Sequence, residues 1–141
     1  MTQAVPVRLE ASIPSDVRLL GFVSRLAQET LRLLVTADKV DALCAAVDVC
    51  LTEALTNAIQ HAHRSDASRP LNISIAAEND VLTLRVFDTG PGFEIECVPP
   101  PNFEELKEHG RGIFIIRSSM DQVTYRPVPG GNLLEMTKKL R

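Results

Sequence analysis

The hydrophobic period of this chain switches near residue 65, and the switch limits the folds open to it. Before it, apolar residues recur at helical spacing. Leu19, Leu20, Phe22, Val23, Leu26, Ala27, Leu31 and Leu34 mark one amphipathic helix over 17–34. Ser15 is the expected cap of that helix, with Asp16 complementing its positive end. Val40, Leu43, Val47, Leu51, Ala54 and Ala58 mark a second helix, opened by Thr36 or Asp38 and running to about Ala62. After the polar turn Arg64–Arg69 the period becomes two. Leu71, Ile73, Ile75 and Ala77 alternate in one strand, and Leu82, Leu84, Val86 and Asp88 in the next, with Asn79-Asp80 as the hairpin between them.

The remaining pieces fit the same frame. VRLEASI (7–13) reads as an edge strand, Gly112–Met120 as a short apolar helix, and QVTYRP and LLEMTKKL as a second hairpin around Pro129-Gly130-Gly131-Asn132. Strand and helix do not alternate strictly, which excludes a doubly wound sheet. The expected architecture is one domain over 1–141: an α+β two-layer sandwich, a mixed, mostly antiparallel sheet with helices on one face. Residues 89–109 form a long loop with three consecutive prolines, and loops of that length inside a compact domain are usually functional.

Composition removes several classes of function. The net charge is −3 and both halves are slightly acidic, so no basic stripe advertises nucleic acid or an anionic membrane. Aromatic residues are 4% with no Trp, so there is no platform for stacked bases. Three cysteines without a CxxC read as reduced thiols in a cytosol, and no membrane span or leader is read in the sequence.

Two places break the patterning. Glu53, Asn57 and His61 lie at i, i+4 and i+8 on the second helix, below the apolar Ala46, Val49 and Cys50. A stripe that turns polar after two apolar turns has either emerged into solvent or entered a charged site. Asp88 shares the inward face of its strand, so it either meets a donor such as a ligand amine or caps the turn Thr89-Gly90. Asp88-Thr89-Gly90-Pro91-Gly92 is a DxGxG string, and Gly110-Arg111-Gly112 is a GxG opening a helix, where free amides suit a phosphate chain. Walker A and protein-kinase strings are absent. His61 and His63 form an HxH with no further ligands to complete a zinc set.

Taken in order, ExxxNxxxH on a helix, DxGxG at a strand end, a long loop and GxG before a helix resemble the Bergerat-fold ATPases of the GHKL superfamily. TEALTNAIQHAH, VFDTGPGF and HGRGIFIIRSSMDQVTY are most similar to the anti-sigma-factor serine kinases of bacterial partner switching. The resemblance covers about 7 to 140.

It implies a cytoplasmic, homodimeric protein serine kinase using ATP and Mg²⁺. Such a kinase phosphorylates a STAS-domain anti-anti-sigma antagonist and, in its other state, holds a sigma factor. By the same resemblance Asn57 is the Mg²⁺ ligand and Glu53 the general base. Asp88 accepts from the adenine amino group, and His61 sits at the pocket edge. Gly90 and Gly92 pass close to the base, Gly110, Arg111 and Gly112 line the triphosphate, and 93–109 is the lid. One alternative is a nucleotide-sensing anti-sigma or switch module with a weak or lost kinase step. Another is a detached histidine-kinase catalytic domain, which would need a phosphoacceptor hairpin that residues 1–6 cannot hold. The pair Glu108-His109 departs from the positive or small residue usual ahead of the GxG, leaving Arg111 and Lys107 as candidate γ-phosphate partners.

Overall fold

A computed structural model describes residues 6–92 and 108–141, with side chains from 112 onward in the second stretch. The chain runs β1 (Val7–Pro14), one 3₁₀ turn (Val17–Leu19), α1 (Leu20–Leu34) and α2 (Ala37–Thr56), which continues as a π-helical turn, Asn57–Ala62. β2 (Pro70–Glu78), β3 (Val81–Asp88), α3 (Glu108–Ser119), β4 (Gln122–Val128) and β5 (Gly131–Lys139) follow. The five strands form one sheet in the order β1-β2-β3-β5-β4. Every neighbouring pair is antiparallel, so the sheet is not mixed.

The strand alternation holds residue by residue. Leu71, Ile73, Ile75 and Ala77 of β2 and Leu82, Leu84, Val86 and Asp88 of β3 are all buried on the helix side. The β2–β3 hairpin closes on Asn79 and Asp80 with φ of 52° and 60°. Both central residues of a type I′ turn need positive φ, which Asn and Asp tolerate without glycine. The second hairpin is a tighter loop than the four residues expected, because Val128 pairs with Gly131 and only Pro129 and Gly130 lie between them.

α2 packs between α1 and α3 and carries the middle of the core, with Val47, Leu51, Leu55 and Ile59 fully buried. By length and composition alone, Ala37–Ala62 could cross a membrane; here half of it is buried inside the domain. On α1 the apolar face is narrower than its spacing suggests. Val23, Ala27 and Leu31 are buried, whereas Phe22 and Leu34 are exposed.

Two local readings need correction. Ser15 does not cap the helix; Asp16 caps the 3₁₀ turn that leads into α1, its carboxylate accepting from the Arg18 N–H at 2.9 Å, and α1 itself, with Leu19 at its N-cap position, has no side-chain cap. Ser15 is instead buried and bonded elsewhere. And α3 begins at Glu108, four residues ahead of the expected start, so Gly110 and Gly112 belong to the helix and do not precede it.

Candidate functional site

α2 changes pitch where its stripe turns polar. From Asn57 the backbone widens to π geometry, with the His63 N–H donating to the Ala58 carbonyl at 2.9 Å, five residues back. Such a turn moves the residues after Asn57 off α-helical phase, and π segments concentrate at functional sites. Arg64 and Ser65 then end the helix in the left-handed region, with φ of 50° and 58°.

Beside this segment lies a cleft of about 280 Å³. Ala54, Asn57, Ala58, His61 and Ala62 form the helical wall, Val86 and Asp88 the strand floor, and Pro91 and Gly92 the turn beyond it. Ile113, Tyr125 and Leu134 close the far side. The walls are mostly aliphatic, with one carboxylate at the bottom, a shape and polarity suited to a flat heterocycle bearing an amino group.

That carboxylate is held by three donors. Asp88, 4% exposed, takes the Gly90 N–H at 2.9 Å and the Asn132 amide at 3.1 Å, both on Oδ1. The Tyr125 hydroxyl also bonds to it. Burial first, and then the Asp88 charge, push the Tyr125 phenol upward, so it stays a neutral donor. Asp88 therefore both faces inward and caps its own turn; the two readings of the sequence are compatible.

Asn132 and Tyr125 were not singled out from the sequence, although a signal existed. Asn132 stands opposite Asp88 in the sheet and shares a face with the buried Leu134 and Met136, a polar residue at an inward position just as Asp88 is.

Glu53 and Asn57 meet α3 at Gly112, its fifth residue. A Cβ placed on Gly112 would lie 2.8 Å from Glu53 Oε2 and 3.2 Å from Asn57 Nδ2, so only glycine lets the helix approach them this closely. The Asn57 amide nitrogen is buried with no hydrogen-bond partner among the described residues. A native structure leaves few such groups, and one aimed into a cleft points to something that binds there.

His61 is exposed on the cleft edge. Gly92, at φ +79°, lines the cleft, and a Cβ there would strike Asn132 Oδ1. Gly90 has a packing role that its string does not show. Its absent side chain makes room for Ala62, whose carbonyl would be 2.7 Å from a Cβ, so its closeness serves the helix end. Gly110 lies in the first turn of α3. The Arg111 side chain, Lys107, Cys97 and the lid up to residue 107 lie outside the described residues. Cys44 and Cys50 are buried free thiols whose pKa burial pushes up, which makes them poor nucleophiles.

His63 is buried beside the site, with no zinc set around the HxH: no group of potential metal-holding side chains occurs among the described residues. Burial lowers its pKa from 6.5, and Arg69 opposes the cation as well, while Asp88 and Asp66 favour it. The folded state thus binds this proton less readily than the unfolded chain. Stability is full above 6.5 and falls as pH drops from 6.5 toward the depressed folded value. Urea denaturation across about pH 7.5 to 5 should show this slope, and His63→Gln should flatten it.

Comparison with known proteins places this geometry. The sequence profile of the histidine kinase-like ATPase domain matches residues 13–138. The serine-protein kinase RsbW of Bacillus subtilis (strain 168) is 28% identical over 141 residues, which covers 94% of this chain and 85% of that one. The anti-sigma F factor of Anoxybacillus flavithermus is 34% identical over 99 residues, 67% and 68% of the two chains. With the RsbW of Oceanobacillus iheyensis identity is 32% over 83 residues, so the chain spans about half of that relative (52%). The crystal structure of the RsbU and RsbW domains of Rv1364c from Mycobacterium tuberculosis superposes at a TM-score of 0.67 with 14% identity, covering 95% of this chain and 32% of that one, a likeness of fold. From Ile13 to Lys138, then, the chain belongs to the histidine kinase-like ATPase domain family.

Proposed function

We propose that this chain is an ATP-dependent protein serine kinase and anti-sigma factor of the partner-switching type. In this reading it phosphorylates a STAS-domain antagonist, holds a sigma factor in its other state, and works as a cytoplasmic homodimer. The observation that carries it is the meeting of Glu53, Asn57 and Gly112, with Asn57 lining a cleft that the buried Asp88 lines as well. A carboxylate base, an amide ligand and the N-terminal half of α3 lie together at the reacting end. At the recognition end, a carboxylate waits for the amino group of a base.

The residues fit the cofactors. Asn57 lines the cleft, and its carboxamide oxygen is the kind of hard donor that Mg²⁺ takes, alongside phosphate oxygens and water; its buried Nδ2, without a partner among the described residues, is a donor for a phosphate oxygen. When bound, Mg²⁺ supplies neutralisation of the phosphate charge. The amides of the first turn of α3 sit at the positive end of a helix dipole and suit the phosphates. Asp88 receives the adenine amino group. Glu53, one turn before Asn57, accepts the proton of the attacking serine hydroxyl. Positioning and charge neutralisation carry most of phosphoryl transfer, so one base and one ligand side chain on a small domain suffice.

The direct test is incubation of the chain with γ-labelled ATP and a STAS-domain protein. Acid-stable phosphoserine on the STAS protein is the expected product. Tight nucleotide binding with no transfer would replace the kinase by a nucleotide-sensing binder, and acid-labile phosphohistidine would move the chain to the histidine kinases. A narrower prediction concerns Asn57→Ala. ATP affinity in Mg²⁺ should fall about 10–100-fold, while affinity in EDTA stays level, as titration calorimetry would show. An unchanged Mg²⁺ dependence would remove Asn57 as a ligand.

A further inference from the structure

One buried side chain beside the cleft has no part in the proposed chemistry. His63 is 1% exposed, and both ring nitrogens are engaged by segments far apart in the chain. Its Nε2 receives the backbone N–H of Thr89 at 2.9 Å, with the Thr89 hydroxyl at 3.2 Å. Its Nδ1 lies 2.7 Å from Ser15 Oγ, and that hydroxyl donates to the Arg69 carbonyl at 2.6 Å.

The polarity of this chain of bonds is forced. A backbone N–H only donates, so Nε2 must be a bare acceptor. A neutral ring then carries its proton on Nδ1, where it donates to Ser15 Oγ. Ser15 has already committed its own proton to Arg69, so its oxygen is free to accept. One tautomer satisfies every group.

What the ring holds is the peptide directly after Asp88. The next N–H along, that of Gly90, goes to Asp88 Oδ1, and the Gly90 carbonyl accepts from the Asn132 amide at 2.8 Å. Thr89 itself is exposed, and its backbone and hydroxyl both meet the His63 ring. Inward, Gly90 rests on Ala62, the residue before His63. The ring therefore ties the Asp88–Gly92 turn to the π end of α2, and both form walls of the same cleft.

We propose that His63, as the Nδ1–H tautomer, is a positioning residue that fixes the Asp88 turn against the end of α2 and so sets the affinity of the cleft for an adenine base. The inference rests on the nucleotide reading above. Freed from the ring, the turn would trade one buried bond for water and hold Asp88 in several orientations, only some of which meet the ligand. Protonation has the same effect, since an imidazolium would aim Nε2–H at the Thr89 N–H.

Three substitutions separate positioning from bulk packing. His63→Gln keeps an acceptor near the Nε2 position. His63→Asn reaches only toward Ser15 and leaves the Thr89 N–H unpaired. His63→Phe fills the space and satisfies neither. Binding of MgADP to the full chain by calorimetry, with the melting temperature of each apo protein, gives the readout. Affinity should stay near wild type for His63→Gln and fall about tenfold for both His63→Asn and His63→Phe, although His63→Asn and His63→Gln melt alike.

Equal affinity of His63→Asn and His63→Gln, or wild-type affinity in His63→Phe, overturns the positioning role while leaving the nucleotide site standing. Wild-type protein that fails to bind MgADP overturns both. A ¹⁵N–¹H spectrum of the wild-type ring gives a measure that needs no variant to fold: a proton on Nδ1 and a bare Nε2 supports the assignment, and the opposite tautomer ends it.

Discussion

Glu53→Gln should lower phosphotransfer about 10²–10⁴-fold while nucleotide affinity changes by less than about threefold. The amide is nearly the same size as the carboxylate, so the close approach of Gly112 in α3 survives, but it cannot take the proton of an attacking hydroxyl. Single-turnover transfer of γ-labelled phosphate to a STAS-domain protein, beside equilibrium ADP binding, separates the two effects. A parallel fall in binding would recast Glu53 as a ligand-holding group, and unchanged turnover would remove the base.

Asp88→Asn should act the other way round. Asp88 accepts from Gly90, Asn132 and Tyr125, and an amide replaces one of its acceptor oxygens by a donor. At least one of these donors, or the ligand amine, then faces another donor in a buried place. Bonds to a charged partner contribute about 1.5–3 kcal/mol, so ATP affinity should fall about 10–100-fold, with a further loss of about 1–3 kcal/mol in folding stability. Denaturant unfolding of the apo protein measures the second quantity, and calorimetry the first. Affinity at the wild-type level would mean that the base sits elsewhere. Comparison with Asn132→Ala would tell whether the loss comes from the carboxylate itself or from its orientation.

Much of this was legible before any coordinates. Period-two alternation placed Asp88 inward among Leu82, Leu84 and Val86, and the cost of burying a carboxylate implied donors around it. Helical spacing put Glu53 and Asn57 on one side of α2, and the Asn79-Asp80 turn followed from its residue types. Other features were not legible because they depend on partners distant in the chain. Ser15 reads locally as a helix cap, yet its hydroxyl finds His63 and Arg69, 48 and 54 residues away. His63 had no role in the sequence beyond an HxH with no further ligands, yet burial and the Thr89 N–H make it a hydrogen-bonded strut. That Gly90 in DxGxG also makes room for the Ala62 end of the helix depends on a residue 28 positions away.

Local sequence, then, determined the elements, their inward faces and the chemistry of Glu53, Asn57 and Asp88, because periodicity and burial cost act over a few residues. Tertiary structure alone decided that α2 widens at Asn57, that Gly112 brings α3 onto Glu53 and Asn57, and that Asn132, Tyr125 and His63 hold Asp88 and its turn in place. Those arrangements follow from sheet register and helix docking, where each buried donor must be paired with whichever acceptor the whole fold brings within reach.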